Sequence, residues 1–347
     1  MQFKSFFDLD NRLEDIDAMG DPLAALDQVI AWEKFRPLLR RIHDKERKSK
    51  AGRKPYDVVL MLKILILQSL YNLSDNRTEF MIRDRLSFSR FLKIDLGDRI
   101  PDENTIWDFR ESLKKHDLLD KLFAKFDRML CEKGFAAKKG QILDASITSA
   151  PKQRNSREEN KQIKEGEGDS LWTENSHKKH QKDTDARWTK KNGTSYFGYK
   201  NHIGVDNKHK LIRTYCVTPA STHDSQVLGE LVDPNNSSSD LWADSAYQSE
   251  AIIKDLTEAG YRPRIQRRGK RGQPLSEREQ QGNHTRSKTR SRVEHVFGIQ
   301  SKMAGDLTIQ TIGLMRAKVK IGLRNLAYNM NRLKSLLRPP KRSIAEG

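Results

Sequence analysis

Cysteine is nearly absent from this chain: Cys131 and Cys216 are the only two in 347 residues. Two thiols exclude a disulfide framework and a zinc site of the usual four-ligand cysteine kind, and they suit a reducing compartment. Long hydrophobic runs are missing as well. The most apolar stretch, Val58 to Leu70, is interrupted by Lys63 and Gln68 and is shorter than the roughly 20 residues a bilayer requires. It reads as a core helix, and no membrane partner is expected. The first ten residues already carry Asp8 and Asp10 and hold no apolar stretch ending in small residues. That is unlike a secretory leader and makes the cytoplasm the expected location.

Positive charge is what the chain has in excess. Lys and Arg number 65 against 47 Asp and Glu, a formal net charge of +18, which concentrates polyanions and favours nucleic acid as partner. Half of that excess lies in residues 262–292, where eleven Lys or Arg face two Glu. A run this dense calls for an anionic partner, and phosphate-backbone binding is the expected use.

The hydrophobic pattern divides the chain. From Asp21 to about Lys133 it is helical: Asp21-Pro22 sets a cap with Pro in the first turn, and Leu23, Leu26 and Ile30 recur at helical spacing. Gly52-Arg53-Lys54-Pro55 breaks the chain before the helix predicted over 57–71, and amphipathic stretches follow at 75–92 and 103–115. These suit a helix-turn-helix-like module or a plain helical bundle. After Gly140 short β-branched runs take over, at 141–148, 200–205 and 211–217, and then alternate with helical patterns. The fold class expected is therefore α/β, a mixed sheet flanked by helices, preceded by an all-α domain. The domains expected are 1–135, helical; 136–338, catalytic, with a mobile basic insert at about 151–195 that has almost no aliphatic residues; and a tail, 339–347. The last predicted helix, 315–337, repeats Val319, Leu323, Leu326, Met330, Leu333 and Leu337, a pattern that fits packing on the sheet or a dimer seam.

Three acids stand out from the rest. Asp144 sits between Ile142-Leu143 and Ala145-Ser146-Ile147, a lone carboxylate in an apolar strand where an unpaired charge is expensive. Asp244 ends Leu241-Trp242-Ala243, and strand ends are where ligand sites lie in open α/β sheets. Glu294 follows Arg290 by one helical turn. Taken singly, each acid also fits a buried ion pair or a cap. Together, two strand-borne Asp and a helical Glu behind a basic tract suit a metal-assisted phosphoryl-transfer site.

These residues also carry a family resemblance. Leu143-Asp144-Ala145-Ser146, Ala243-Asp244-Ser245-Ala246-Tyr247 and Arg292-Val293-Glu294-His295-Val296-Phe297-Gly298 resemble the Asp-Asp-Glu (DDE) triad regions of the bacterial transposases called the insertion-sequence-five family. The stretches 52–57, 101–110, 197–206 and 217–224 resemble other parts of that family, so the likeness runs over nearly the whole chain. In the family's Tyr, Arg, Glu, Lys signature, Arg290 and Glu294 keep their places, whereas Ser287 stands where Tyr is expected and Lys302 comes one residue late.

The resemblance implies an RNase H-like catalytic domain, with the first Asp on the central strand, the second on a neighbouring strand and the Glu on a following helix. It implies an enzyme that cuts double-stranded DNA at the terminal inverted repeats of an insertion element and transfers the freed strand into target DNA. Asp144, Asp244 and Glu294 are then the catalytic and metal ligands for two Mg2+, with Mn2+ as a substitute, and a homodimer holds two element ends. DNA contacts are expected from Arg267, Arg268, Lys270, Arg271, Arg290, Arg292 and Lys302. His202, His223 and Asp224 are candidates to line the site, although a lone His is more often a structural residue. Trp172 and Trp188 in the insert suit stacking on a base or covering a core edge. Two rival readings keep the DNA binding: a catalytically silent regulator, and an RNase H-like nuclease that only hydrolyses.

Overall fold

The computed structural model describes residues 7–43, 54–269, 272–304 and 308–337. They belong to two compact units, one comprising the chain up to Phe126 together with the stretch from Leu323, the other Asp127–Gly322. The first unit is helical: α1 (Asp8–Ala18), α2 (Pro22–Val29), α3 (Arg36–Leu39), α4 (Val58–Tyr71), α5 (Asp75–Asp84), α6 (Leu86–Leu92), α7 (Glu103–Lys115) and the start of α8 (Leu119–Glu132). Asp21 caps α2 as its sequence promises, accepting from the Leu23 N–H at 2.8 Å. The stretch 75–92 is two helices rather than one, because Arg85 is extended (φ −104°, ψ 114°).

Helix α4 is the apolar run. Its side chains from Val58 to Gln68 are buried apart from Leu60, and its two interruptions are paired inside. Lys63 donates to Asp27 and, at 2.9 Å, to the Phe91 carbonyl. Gln68 donates to Asp75 and accepts from Arg110. Buried polar groups persist when they are hydrogen-bonded. No single helix among the described residues is long and apolar enough to cross a membrane.

The second unit is built on a mixed sheet: β1 (Gln141–Ser149), β2 (Arg187–Lys191), β3 (Thr194–Asp206), β4 (Ile212–Pro219), β5 (Asp240–Ala243) and β6 (Arg262–Ile265). The order is β2-β3-β1-β5-β6, with β4 also on β3. β1 is central, antiparallel to β3 and parallel to β5, and β6 is parallel to β5. The helices are α9 (Arg157–Glu165), α10 (Ser176–Gln181), α11 (Leu228–Leu231), α12 (Glu250–Glu258), α13 (Glu277–Ala304) and α14 (Leu314–Leu337). This is the α/β arrangement expected, a mixed sheet with helices beside it, with Asp144 on the central strand.

Side chains alternate across a strand, and β1 uses both faces. Leu143 packs with Val227, Leu231, Leu241, Tyr247, Leu256 and Ile265. Asp144 faces the other way, towards α13. On that second face Tyr199, Val217, Ala317 and Ile321 form a further core, so α14 begins against the sheet. From Leu323 the same helix belongs to the helical unit, where Lys334 donates to the Pro22 carbonyl at 3.3 Å. The compact unit ends at Gly322, within α14. Val319, Leu323, Leu326, Met330 and Leu333 are buried within the single chain, while Leu337 is 44% exposed, so packing within the chain accounts for all of the repeat but its last position.

The stretch expected to be a mobile insert carries secondary structure of its own. It contains α9, α10 and β2, and a carboxylate ties it to the sheet. Asp183, 3% exposed, accepts from the Tyr199 hydroxyl at 2.7 Å, from the Ala186 N–H at 2.9 Å and from the Gly313 N–H at 3.2 Å. Asp185 accepts from the Leu314 N–H at 2.7 Å, at the start of α14. Polar ties replace the aliphatic residues that the segment lacks. Asp183→Ala leaves buried donors unpaired and should cost about 2–4 kcal/mol. Limited trypsin digestion should then cut at Lys178, Lys179 and Lys182 well before it does in the parent chain; an unchanged digestion pattern would mean that the insert is held by other contacts.

Candidate active site

Asp144 is the best-defined candidate acid. Its side chain is 15% exposed and pairs with Arg290 of α13 at 2.9 Å. Oδ1 accepts from the Ala145 N–H at 2.8 Å, while Oδ2 takes the Arg290 Nη1 donor. Burial pushes its pKa up to about 6, more than Arg290 pulls it down, and the negative charge of Asp244 adds to the rise. The two acids thus sense one another across neighbouring strands.

Asp244 follows β5 and caps a short 3-10 turn, Ser245–Tyr247, through Oδ1 and the Ala246 N–H at 2.9 Å. Its other oxygen takes no hydrogen bond among the described residues. Glu294 is exposed on α13, one turn beyond Arg290, a spacing that puts side chains on one helix face. Among the described residues no three Asp, Glu, His or Cys side chains stand together as a ready metal cluster. The structure therefore brings Asp144 and Asp244 within electrostatic reach and leaves Glu294 on the adjoining helix surface. The donors on offer are carboxylate oxygens with spare lone pairs, and such hard ligands fit a small divalent cation.

Tyr247 was passed over in the sequence, although it lies only three residues after Asp244. It is 1% exposed, and its hydroxyl has no hydrogen-bond partner. Burial raises its pKa, and the charges of Asp224, Asp144 and Asp244 raise it further.

Of the other candidates, His202 and Asp224 lie close together, His202 Nδ1 standing 3.7 Å from Asp224 Oδ1. His202 is fully buried and pairs across the sheet with Ala145, so it shares the Leu143 face, away from the Asp144 side chain. Its Nε2 is 2.9 Å from Thr218 Oγ1, and burial lowers its pKa to about 4, with the Asp224 charge opposing the shift. Asp224 is paired with Lys200 at 2.8 Å. The His223 ring is exposed and caps the turn that follows it. In the insert, the Trp172 indole N–H donates to Glu159 at 2.7 Å, while Trp188 is 48% exposed beside Phe197.

Among the basic candidates, Arg267, Arg268, Arg292 and Lys302 are exposed, and Lys270 and Arg271 lie outside the described residues. Arg267 pairs with Glu279 at 2.8 Å, and Arg292 donates to Asn207 at 2.6 Å. Ser287, where Tyr was expected, accepts from Gln266 at 2.6 Å and so fastens α13 to the exit of β6.

The environment of Asp144 gives a signed pH effect. Its folded pKa, about 6, lies above the ordinary carboxylate value, so the native chain holds the proton more tightly than the unfolded one. Stability is therefore lost as pH rises through this window. Asp144→Asn should gain relative to the parent by up to about 3 kcal/mol between pH 4 and pH 7.5, a figure from 1.36 kcal/mol per pKa unit. Urea denaturation in chelator at both pH values checks this; a difference independent of pH would contradict the burial argument.

The geometry can be set beside known proteins. Residues 11–112 match the family model "Transposase domain (DUF772)", and residues 135–330 match "Transposase DDE domain". A solved structure, described as a cryo-EM structure of piggyBac transposase synaptic complex with hairpin DNA, is similar over 91% of this chain and 75% of that one, at 13% identity and a TM-score of 0.46. The second family model alone spans more than half of the chain, from just before β1 into α14, and carries with it that family's dependence on a divalent metal. The chain belongs to the DDE transposases.

Proposed function

We propose that this transposase cuts double-stranded DNA at the inverted-repeat ends of its own element and joins the freed 3′-OH to target DNA. Asp144, Asp244 and Glu294 are the metal-holding carboxylates of that reading. The observation that carries it is the Asp144–Arg290 pair. It ties α13 to the central strand beside Asp244 and leaves Glu294 one turn further along the helix.

Bound divalent cations, two Mg2+ with Mn2+ as a substitute, supply activation of the attacking water or hydroxyl and stabilisation of the leaving oxygen. The chain's own part is positional. Asp144 is held by its two hydrogen bonds on a rigid strand, and Asp244 by its cap. Arg290 is held against Asp144 through Nη1 and keeps its positive charge beside the acids. Arg267, Arg268, Lys270, Arg271, Arg292 and Lys302 neutralise the flanking backbone and fix register without reading bases. Base reading falls to the helical unit, and a homodimer holds the two ends. The bacterial insertion-sequence-five subfamily and action at the nucleoid belong to the same reading.

The test is direct. Purified protein with an element-end duplex and Mg2+ should release a 3′-OH end and then join it to a second duplex. Asp144→Asn should lower cleavage by about two to three orders of magnitude, the scale of losing one preorganised electrostatic contact, while leaving DNA binding in place. Cleavage that survives Asp144→Asn would sink the assignment, cutting without joining would mark a nuclease, and binding with no cutting a silent regulator.

A further inference from the structure

The basic stretch at 262–292 looks diffuse in the sequence, but the fold gathers part of it at one junction. Where the chain leaves β6, side chains of α13 pin it. Asn283 Oδ1 accepts from the Arg267 N–H at 2.9 Å, and Asn283 Nδ2 donates to the Arg267 carbonyl at 2.8 Å. The same Oδ1 accepts from Arg286 Nη1 at 3.2 Å, which draws the Arg286 guanidinium back along its helix towards Arg267. Gly282 makes the room: a Cβ there would stand 3.1 Å from that Nη1.

The charges at this junction do not balance. Arg267 pairs with Glu279, and Arg264 shares Asp240 with Arg262. Arg286 has no carboxylate partner among the described residues. Burial, followed by the charges of Arg267 and Arg264, holds its pKa below the ordinary guanidinium value. Crowded like charges cost free energy that an anion recovers, and the planar guanidinium fork matches phosphate oxygens.

We propose that Arg286, flanked by Arg267 and Arg264, is a seat for one backbone phosphate of the bound DNA, at the junction of β6 and α13. The proposal rests on the reading of the acids as a DNA-cutting site. Arg286 precedes Arg290 by four residues, about one helical turn or 5.4 Å. A strand lying at Asp144 thus brings a neighbouring phosphate to the seat. The contact is to backbone and carries no base preference.

The full chain is titrated with an element-end duplex and with a random duplex of equal length across a range of salt. Arg286→Gln, which keeps an amide donor for Asn283, should weaken binding about tenfold on both duplexes and reduce the slope of log affinity against log salt by about one. Arg286→Lys should restore the slope. Arg264→Gln, on an exposed strand position, should give a smaller loss in the same direction, and it stands in if Arg286→Gln fails to fold. If the parent binds and cuts DNA while Arg286→Gln, or Arg264→Gln in its stead, leaves the slope unchanged or weakens only one of the duplexes, the seat is overturned and the proposed function stands. A parent that binds neither duplex overturns both.

Discussion

The Asp144–Arg290 pair is the interaction on which the arrangement of the second unit turns. A carboxylate in the middle of a sheet loses several kcal/mol of hydration, and Arg290 returns only part of it, since the Asp144 pKa still lies near 6. The pair nevertheless does something that apolar packing does not do here. α13 is a polar helix of 28 residues with few apolar side chains to offer the sheet, chiefly Val293 and Val296. Its docking depends on polar ties at successive turns: Asn283 to Arg267, Ser287 to Gln266, Arg290 to Asp144 and Arg292 to Asn207. Each tie fixes the rotation of the helix, and therefore which of its charges face the sheet end.

What the sequence showed and what it hid follow the same division between local and distant causes. The apolar α4, the Asp21 cap and the strands around Asp144 and Asp244 are written in residues next to one another, and they were legible. The insert was not. Its order comes from Asp183 and Asp185, whose partners at Tyr199, Gly313 and Leu314 lie far along the chain, so a local window sees only charge. His202 shows the same limit in another form. Its side depends on pairing with Ala145, and a strand pattern read alone does not reveal which face its partner presents. Glu294 was found through its neighbours and the resemblance, and its exposed position on α13 shows why no burial argument pointed to it.

The two strand acids differ in kind. Asp144 is enclosed and costly, with both oxygens engaged. Asp244 stands at a strand end and spends one oxygen on its cap, while the other takes no hydrogen bond among the described residues. The charge of Asp244 raises the cost of charging the buried Asp144. Such a pair favours any positive charge that enters, whether an arginine or a cation. Arg290 is the positive charge that the structure places there.

An enzyme that cuts DNA with carboxylates faces an electrostatic conflict, because the acids repel the phosphate they are meant to engage. At an effective dielectric constant of 20, two like charges 4 Å apart cost about 4 kcal/mol. A diffuse surface charge does little against this, since it is screened beyond about 8 Å at physiological salt. Relief has to come from cations fixed within a few ångströms of the acids. α13 meets that requirement by its periodicity: Arg286, Arg290 and Glu294 follow at intervals of four along one face, so the arginines share a helix face with the third candidate acid. The basic excess of the chain matters here because a single helix carries part of it to Asp144 on the central strand.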